Sequence, residues 1–306
     1  PPPMTIHFGA TLVQVIPYRD LRADARFAES LGLDNAWVID QFGIDGAPDI
    51  PLLEAWTTLA ALAVDTERIR LGSMVTNVAM RNPGVLASSI LTVYQIADGR
   101  LDVAVGGGFY PAEHEELGIA FLDPRGRGDR LREAVAILDA ALRGGTVTFD
   151  GDHFRLAEAT FRPLPTQVPR PSLWVAAQAT RSLRVAVDHA DGVVSLGEYD
   201  EAVDVSLPAF AARMERLDEL CVEAGRDPAT LRRCYFAGWA DEPFFSSPDA
   251  MGDLVGRYVE AGATDVTFYL THPSDDTMGD LVAAGRAATR GTLEQVAADV
   301  FPAFRD

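Results

Sequence analysis

No lysine occurs in the 306 residues; all 26 basic side chains are arginine. That excludes Schiff-base chemistry, a lysine nucleophile and a phosphate loop of the Gly-Lys-Ser kind. An anion site in this chain must therefore use arginine or backbone N–H groups. Cysteine is nearly absent. Cys221 and Cys234 are too few for a disulfide framework, and each lies in an apolar segment, so both are expected to be free buried thiols. The five histidines (His7, His114, His153, His189 and His272) have no paired metal-ligand spacing, and no metal is expected. Apolar runs long enough to span a bilayer are missing. So are the basic and apolar regions of a signal peptide, and Pro1-Pro2-Pro3 reads as a remnant added ahead of Met4. A net charge of −19 argues against nucleic acid and anionic membrane surfaces as partners. The expectation is a soluble, cytoplasmic protein that acts on a small molecule.

What is present is an alternation of strands and helices. Strands are expected at 6–13, 35–40, 69–75, 100–108, 171–177, 191–197, 232–240 and 263–270. Helices are expected at 21–32, 51–65 (with Pro51 in its first turn), 83–98, 130–145, 180–190, 207–225, 248–262 and 291–304. The strands are near-continuous Val, Ile and Leu runs, as in parallel sheets covered on both faces. Eight such units point to a single α/β domain over 1–306, a (β/α)8 TIM barrel. A doubly wound sheet is the runner-up, but Gly-x-Gly-x-x-Gly does not follow the first strand. Two alternating runs around Asp150-Gly151-Asp152 predict a β-hairpin inserted at 146–156.

Barrel active sites lie at the C-terminal strand ends. Those ends hold Gln14, Asp40-Gln41, Met74 to Asn77, Gly106 to Phe109, Ala177 to Thr180, Leu196 to Glu198, Trp239 and Leu270 to His272. Asp40 is either a ligand contact or a loop cap. Gly106, Gly107 and Gly108 either form a turn or let a flat ligand approach the backbone. Thr180 is a candidate N-cap; alternatively Gln178, Ala179 and Thr180 seat a phosphate on the helix start, assisted by Arg181. Arg81, Arg125, Arg127 and Arg130 are either solvated or line the path of an anionic tail. His189 reads as packing and His153 lies in the hairpin, while both readings stay open for His7 and His114. No catalytic triad or paired carboxylates stand out, which favours a barrel whose chemistry belongs to a bound cofactor.

The runs "TERIRLGSMVTNVAMRNP", "DGRLDVAVGGGF", "RGDRLREAVAILDAALRGGTVTFDGDHFRL" and "PRPSLWVAAQATRSLRVAVDHADG" resemble the bacterial luciferase-like superfamily over roughly residues 5–195. Within it, "GSMVTNVAMRNP" is most similar to members that use the deazaflavin coenzyme F-420. The resemblance implies a barrel that binds F-420, or alternatively FMN, at its C-terminal mouth. It further implies a non-proline cis peptide at Met74–Val75, in a bulge with Ser73 and Thr76 that backs the cofactor ring. Asp40 would contact the ring or its chain, Gly106 to Gly108 would let it lie on backbone, and Ala177 to Thr180 would hold its phosphate. One departure is informative. The sugar-phosphate dehydrogenases of the family carry a histidine and a glutamate where Gln41 and Phe109 stand here, so a sugar-phosphate substrate is disfavoured. The leading expectation is hydride transfer between reduced F-420 and an organic substrate, with Asp40 and Gln41 orienting the partners and Phe109 and Trp239 walling the pocket. The rivals are a reduced-FMN monooxygenase served by a separate flavin reductase, and a cofactor-binding protein without catalysis. A homodimer is implied by the resemblance.

Overall fold

The computed structural model describes residues 5–44, 49–164, 170–275 and 277–305, so the Pro-Pro-Pro start lies outside the described residues. In chain order the elements are β1 (His7–Leu12), α1 (Tyr18–Ser30), β2 (Asn35–Val38), α2 (Ala55–Asp65), β3 (Arg70–Asn77), α3 (Pro83–Ile96), β4 (Leu101–Gly106), α4 (Pro111–Glu116), α5 (Pro124–Leu142), β5 (Gly145–Asp150), β6 (Arg155–Phe161), β7 (Ser172–Ala176), α6 (Thr180–His189), β8 (Gly192–Leu196), α7 (Val203–Glu223), β9 (Arg232–Phe236), α8 (Pro248–Glu260), β10 (Asp265–Leu270), α9 (Gly279–Ala283) and α10 (Arg290–Asp299). Eight strands close a parallel barrel in the order β1-β10-β9-β8-β7-β4-β3-β2. Six register pairs, from His7 with Asp265 to Leu12 with Leu270, join the first strand to the last. β5 and β6 pair antiparallel outside the ring and form the expected insertion.

Local chemistry explains where the helices begin. Asn82 accepts the Gly84 N–H at 2.9 Å and Pro83 takes the first turn, so α3 starts as expected. Four starts differ clearly from expectation: α1 begins at Tyr18 and α7 at Val203, three and four residues early, and the other two are set by caps. The helix expected from Pro51 begins at Ala55, because the Glu54 carboxylate caps it through the Thr57 N–H at 2.7 Å. The helix expected from Arg130 begins at Pro124, capped by Asp123 on the Gly126 N–H at 2.7 Å. Arg125, Arg127 and Arg130 therefore lie inside α5. The short helices α4 and α9 were not expected, and β6 runs on to Phe161.

Alternate strand residues face opposite ways, and the barrel interior is filled by Trp37, Met74, Ala104, Trp174, Val194, Cys234 and Phe236. A larger apolar layer lies between strands and helices. Both cysteines are free and buried, as expected. Two ion pairs and a histidine–carboxylate contact close the N-terminal rim. Arg70 meets Asp102 at 2.7 Å, Arg232 pairs with Asp265, and His7 meets Asp34 at 3.1 Å. His7 thus sits at the rim opposite the strand C-terminal ends. The polar floor and apolar plug leave the C-terminal mouth as the open end.

Trp174 is buried inside the barrel, with the Arg232 guanidinium 5.0 Å from its ring centre. Trp174→Ala should cost about 3–5 kcal/mol in urea unfolding; a loss under about 1 kcal/mol would contradict a packed interior. Asp139 ties α5 to the segment before β7 through Arg170 at 2.8 Å, and to α6 through His189 at 3.4 Å. Burial alone would raise its carboxyl, but His189, Arg170 and Arg143 outweigh burial and hold it at about 2. A folded-state value below the ordinary one gives stability that is complete above about pH 4 and disappears as pH falls toward 2. The stability gap between wild type and Asp139→Asn should therefore contain a pH-dependent part of about 2 kcal/mol that shrinks below about pH 4. A gap independent of pH would refute the assignment.

Candidate active site

Two glutamine clasps, one buried and one exposed, set the strand ends. Fully buried Gln14 bridges the ends of β1 and β2: its Oε1 accepts the Ile39 N–H at 3.1 Å and its Nε2 donates to the Ile39 carbonyl. Gln178 does the same for β7 and β8, accepting from Ser195 Oγ at 2.9 Å and the Leu196 N–H at 3.1 Å. Its amide also donates to the Leu196 carbonyl at 3.2 Å, so the side chain is engaged with β8.

β3 breaks register against β4 between Ser73 and Thr76, and the Met74–Val75 peptide is cis, as the resemblance implied. The bulge turns Met74 into the barrel interior and sets Val75 against β4. A Cβ on Gly106 would lie 2.8 Å from Val75 Cγ2, so glycine is required there by the chain's own packing. Gly108 has φ +78, and a Cβ there would meet the Asn77 amide at 2.8 Å. Ser73 and Thr76 hydrogen-bond each other through their hydroxyls and are fully buried.

Beside the bulge lies a polar cluster drawn from three connections. Arg81 grips Asp40 through two hydrogen bonds of 2.5 and 2.8 Å and reaches Glu54 at 2.6 Å. Asp40 also accepts the Asn77 N–H at 3.1 Å. The anionic-tail reading of Arg81 is corrected on this point, since its charge is consumed by two carboxylates. Burial pushes the Asp40 carboxyl up, and Arg81 and the Asn77 N–H oppose it. Asn77 Nδ2 lies 3.3 Å from His114 Nε2, which places that nitrogen as an acceptor. Burial first, and then Arg130, push His114 down, so it is a neutral structural imidazole.

A cavity of about 400 Å³ opens at the mouth. Of the residues selected from sequence, Asp40, Gln41, Met74, Val75, Gly106, Gly107, Gly108, Phe109, Gln178, Ala179 and Trp239 line it together. Ser73, Thr76, Ala177 and Thr180 do not. The first two bond each other, Ala177 is buried with its N–H on the Val194 carbonyl, and Thr180 is exposed at the first position of α6. The N-cap of α6 is Ala179 rather than Thr180, and Ser182 Oγ accepts the Ala179 N–H at 3.3 Å. Arg181 pairs with Asp129 at 2.8 Å instead of turning into the cavity. Arg127, Gly128 and Ser182 line the α6 end of the cavity. The outer rim is aromatic. Phe109 meets Trp239 edge-on at 5.7 Å, and Tyr199 meets the same indole at 5.9 Å. Phe109 and Tyr199 are 61% and 71% exposed and meet at Trp239, which gives the rim an aromatic surface.

The residue the strand-end inspection missed is Glu113. It lies in α4, is 3% exposed, lines the cavity, and accepts the Phe42 N–H at 2.5 Å. "FYPAEHEELG" carried the signal: proline at the first helical position, an acid in the first turn, and Gly118 closing with φ +67. Glu113 adds a second carboxyl beside Asp40 and enters the site from a helix rather than from a strand end.

This arrangement has relatives. The profile of the luciferase-like monooxygenase family matches residues 4–240, and the chain belongs to that family, a class of TIM-barrel oxidoreductases. Among its relatives is a 5,10-methylenetetrahydromethanopterin reductase of Methanolobus tindarius, 27% identical over 85% of this chain and 73% of the relative. An F-420-dependent glucose-6-phosphate dehydrogenase of Beutenbergia cavernae is 33% identical over 70% of this chain and 64% of its own. In fold, the chain matches a coenzyme F-420-dependent tetrahydromethanopterin reductase from Methanopyrus kandleri with TM-score 0.77 and 19% identity, over 98% of this chain and 99% of that one. The family match stops at residue 240, yet β10 lies beyond it and closes the barrel.

Removing one side of the Arg81–Asp40 pair leaves a buried charge uncompensated. Arg81→Ala should cost about 3–5 kcal/mol at neutral pH. The penalty is complete above the raised folded-state value of Asp40 and vanishes as pH falls to its ordinary value. Urea unfolding at about pH 7 and about pH 4 measures it; equal losses at both would show that Asp40 does not carry the effect.

Proposed function

We propose that the cavity binds coenzyme F-420 and that the protein transfers hydride between it and a small, uncharged organic substrate. The observation that carries the reading is the cavity itself, whose two ends differ in chemistry. One end is a flat apolar wall of Val75, Val194, Leu196 and Phe236, closed by the β3 bulge. The other is the N-terminus of α6 beside Arg127 and Gly128, where helix N–H groups suit a phosphate and Arg127, its guanidinium held on the Leu122 carbonyl at 2.9 Å, adds positive charge nearby. A tricyclic ring with a phosphorylated side chain fits that division. Relatives named for F-420 among both the sequences and the solved structures support the choice of cofactor.

Reduced F-420 supplies a hydride when bound. The chain contributes position and exclusion. Val75 and Gly106 would set the depth of the ring, and Gln41 and Asp40 would border its polar edge. Phe109 and Trp239 wall the space over it, holding donor and acceptor carbons at reacting distance. The cavity offers no second cluster of free cations among the described residues for a sugar phosphate, since Arg81 is paired. The family description also supports a second reading, a reduced-FMN monooxygenase that activates oxygen in a dry pocket.

Trp239 lies in the cavity, so tryptophan fluorescence reports occupancy. Titration with reduced and oxidised F-420 and FMN should show preference for F-420 by at least about tenfold, or about 1.4 kcal/mol. Preference for reduced FMN, with oxygen consumption, would favour the monooxygenase. Binding of neither would refute the cofactor site. Occupancy by F-420 with no turnover on any substrate would leave a binding protein.

A further inference from the structure

Hydride transfer to a polarised double bond leaves a negative heteroatom that needs a proton. Two carboxylates line the cavity among the described residues, Asp40 and Glu113. Asp40 has no oxygen to spare. Its Oδ1 accepts from Arg81, and its Oδ2 accepts from both Arg81 and the Asn77 N–H. Glu113 differs. Its Oε1 is committed to the Phe42 N–H, which makes that oxygen the acceptor and leaves Oε2 as the place for a proton. The side chain is nine-tenths or more buried and still reaches the cavity wall. Arginine cannot donate at working pH, which removes Arg127. The other hydroxyl donors on the wall are the phenols of Tyr110 and Tyr269 and the alcohol of Ser182, weak acids beside a carboxyl, and burial pushes the Tyr269 phenol up further.

We propose that Glu113 is the proton donor of this active site, and that the substrate is an uncharged molecule bearing a carbonyl or imine, stacked against Phe109 and Trp239. This rests on the F-420 reading above. Hydride from the reduced deazaflavin forms a bond to the electrophilic carbon while the C=O or C=N π pair moves to the heteroatom. That atom takes the proton from Glu113 Oε2. The substrate gains two electrons and two hydrogens, the cofactor is oxidised by two electrons, and Glu113 is left as a carboxylate. Water entering by the exposed mouth restores its proton.

The surroundings hold the Glu113 carboxyl above its ordinary value. Burial, then the charge of Asp40 and of Glu116, push Glu113 up, while the Phe42 N–H and Arg81 oppose them. His114, its neighbour on α4, stays neutral, and Arg127 faces the same cavity from α5 with its guanidinium 4.4 Å from the Phe121 ring centre. Apolar walls, with Arg81 paired and Arg127 held on the Leu122 carbonyl, give an anionic substrate little to pair with.

Glu113→Gln keeps an oxygen for the Phe42 N–H and removes the proton, so it separates donation from structure. Cofactor affinity of E113Q, read by tryptophan fluorescence, should stay within about twofold of wild type. The infrared difference between wild type and E113Q at about pH 6, where ordinary glutamates are ionised, should contain a protonated-carboxyl band belonging to wild type. In single turnovers with reduced F-420 and a panel of uncharged aromatic aldehydes, ketones and imines, E113Q should be slower by about 10²–10⁴-fold. The wild-type rate should fall as pH rises through the value of Glu113, and E113Q should lose that limb. Tyr269→Phe should change the rate by less than about tenfold, short of the loss expected for a true acid. Absence of the infrared band, or a large loss in Y269F with little in E113Q, would overturn the role of Glu113. Turnover of no panel member would overturn the substrate class. Failure of wild type to bind F-420 would sink the cofactor reading, and is visible before any turnover is attempted.

Discussion

Everything at the mouth depends on ring closure. β1 must pair with β10 along six residues, 258 positions apart at His7 and Asp265, before the eight strand ends share one rim. That pairing is slow to find and buried once found, because loop closure over such a span costs entropy that only the packed interior recovers. Trp37, Trp174 and their neighbours fill the ring from within, and the ion pairs of the N-terminal rim seal one end. The open end is the residue of these two constraints, and the chemistry collects there.

At that end the chain spends its polar residues on itself before it offers any to a ligand. Gln14 and Gln178 clasp neighbouring strands, Ser73 and Thr76 satisfy each other inside the bulge, and Arg81 neutralises Asp40 and Glu54. Buried polar groups must be paired or pay for desolvation. What is left facing the cavity is consequently sparse: backbone at the start of α6, an arginine on α5, a rim of aromatic rings and one carboxyl with an uncommitted oxygen. A site of that composition suits chemistry carried by a flat cofactor, with the protein supplying depth, dryness and one proton.

Much of this was legible without coordinates. The alternation of apolar runs, the Asp-Gly-Asp hairpin and the Asn-Pro and Gly stops are local signals, and each corresponds to an element within a few residues of its expected place. The "LGSMVTNVAMRNP" stretch also announced its bulge through resemblance. The errors were local as well. Glu54 and Asp123 moved helix starts because a side-chain cap can override a proline or an apolar period. The assignment of Thr180 as a cap failed because Ser182 bonds back to Ala179.

The sequence by itself determined the class of fold, the order of its units, the reliance on arginine, and the strand ends that meet at the mouth. These follow from periodicity and composition, which act between near neighbours. Tertiary structure alone decided which of those residues are free to act. Arg81 looked available until Asp40 and Glu54 were brought to it across 41 and 27 positions. Glu113 drew no notice in the sequence, and only closure sets it against Phe42, 71 residues earlier, in the wall of the cavity. Pairing across such distances depends on where the barrel carries each segment, and no local pattern encodes it.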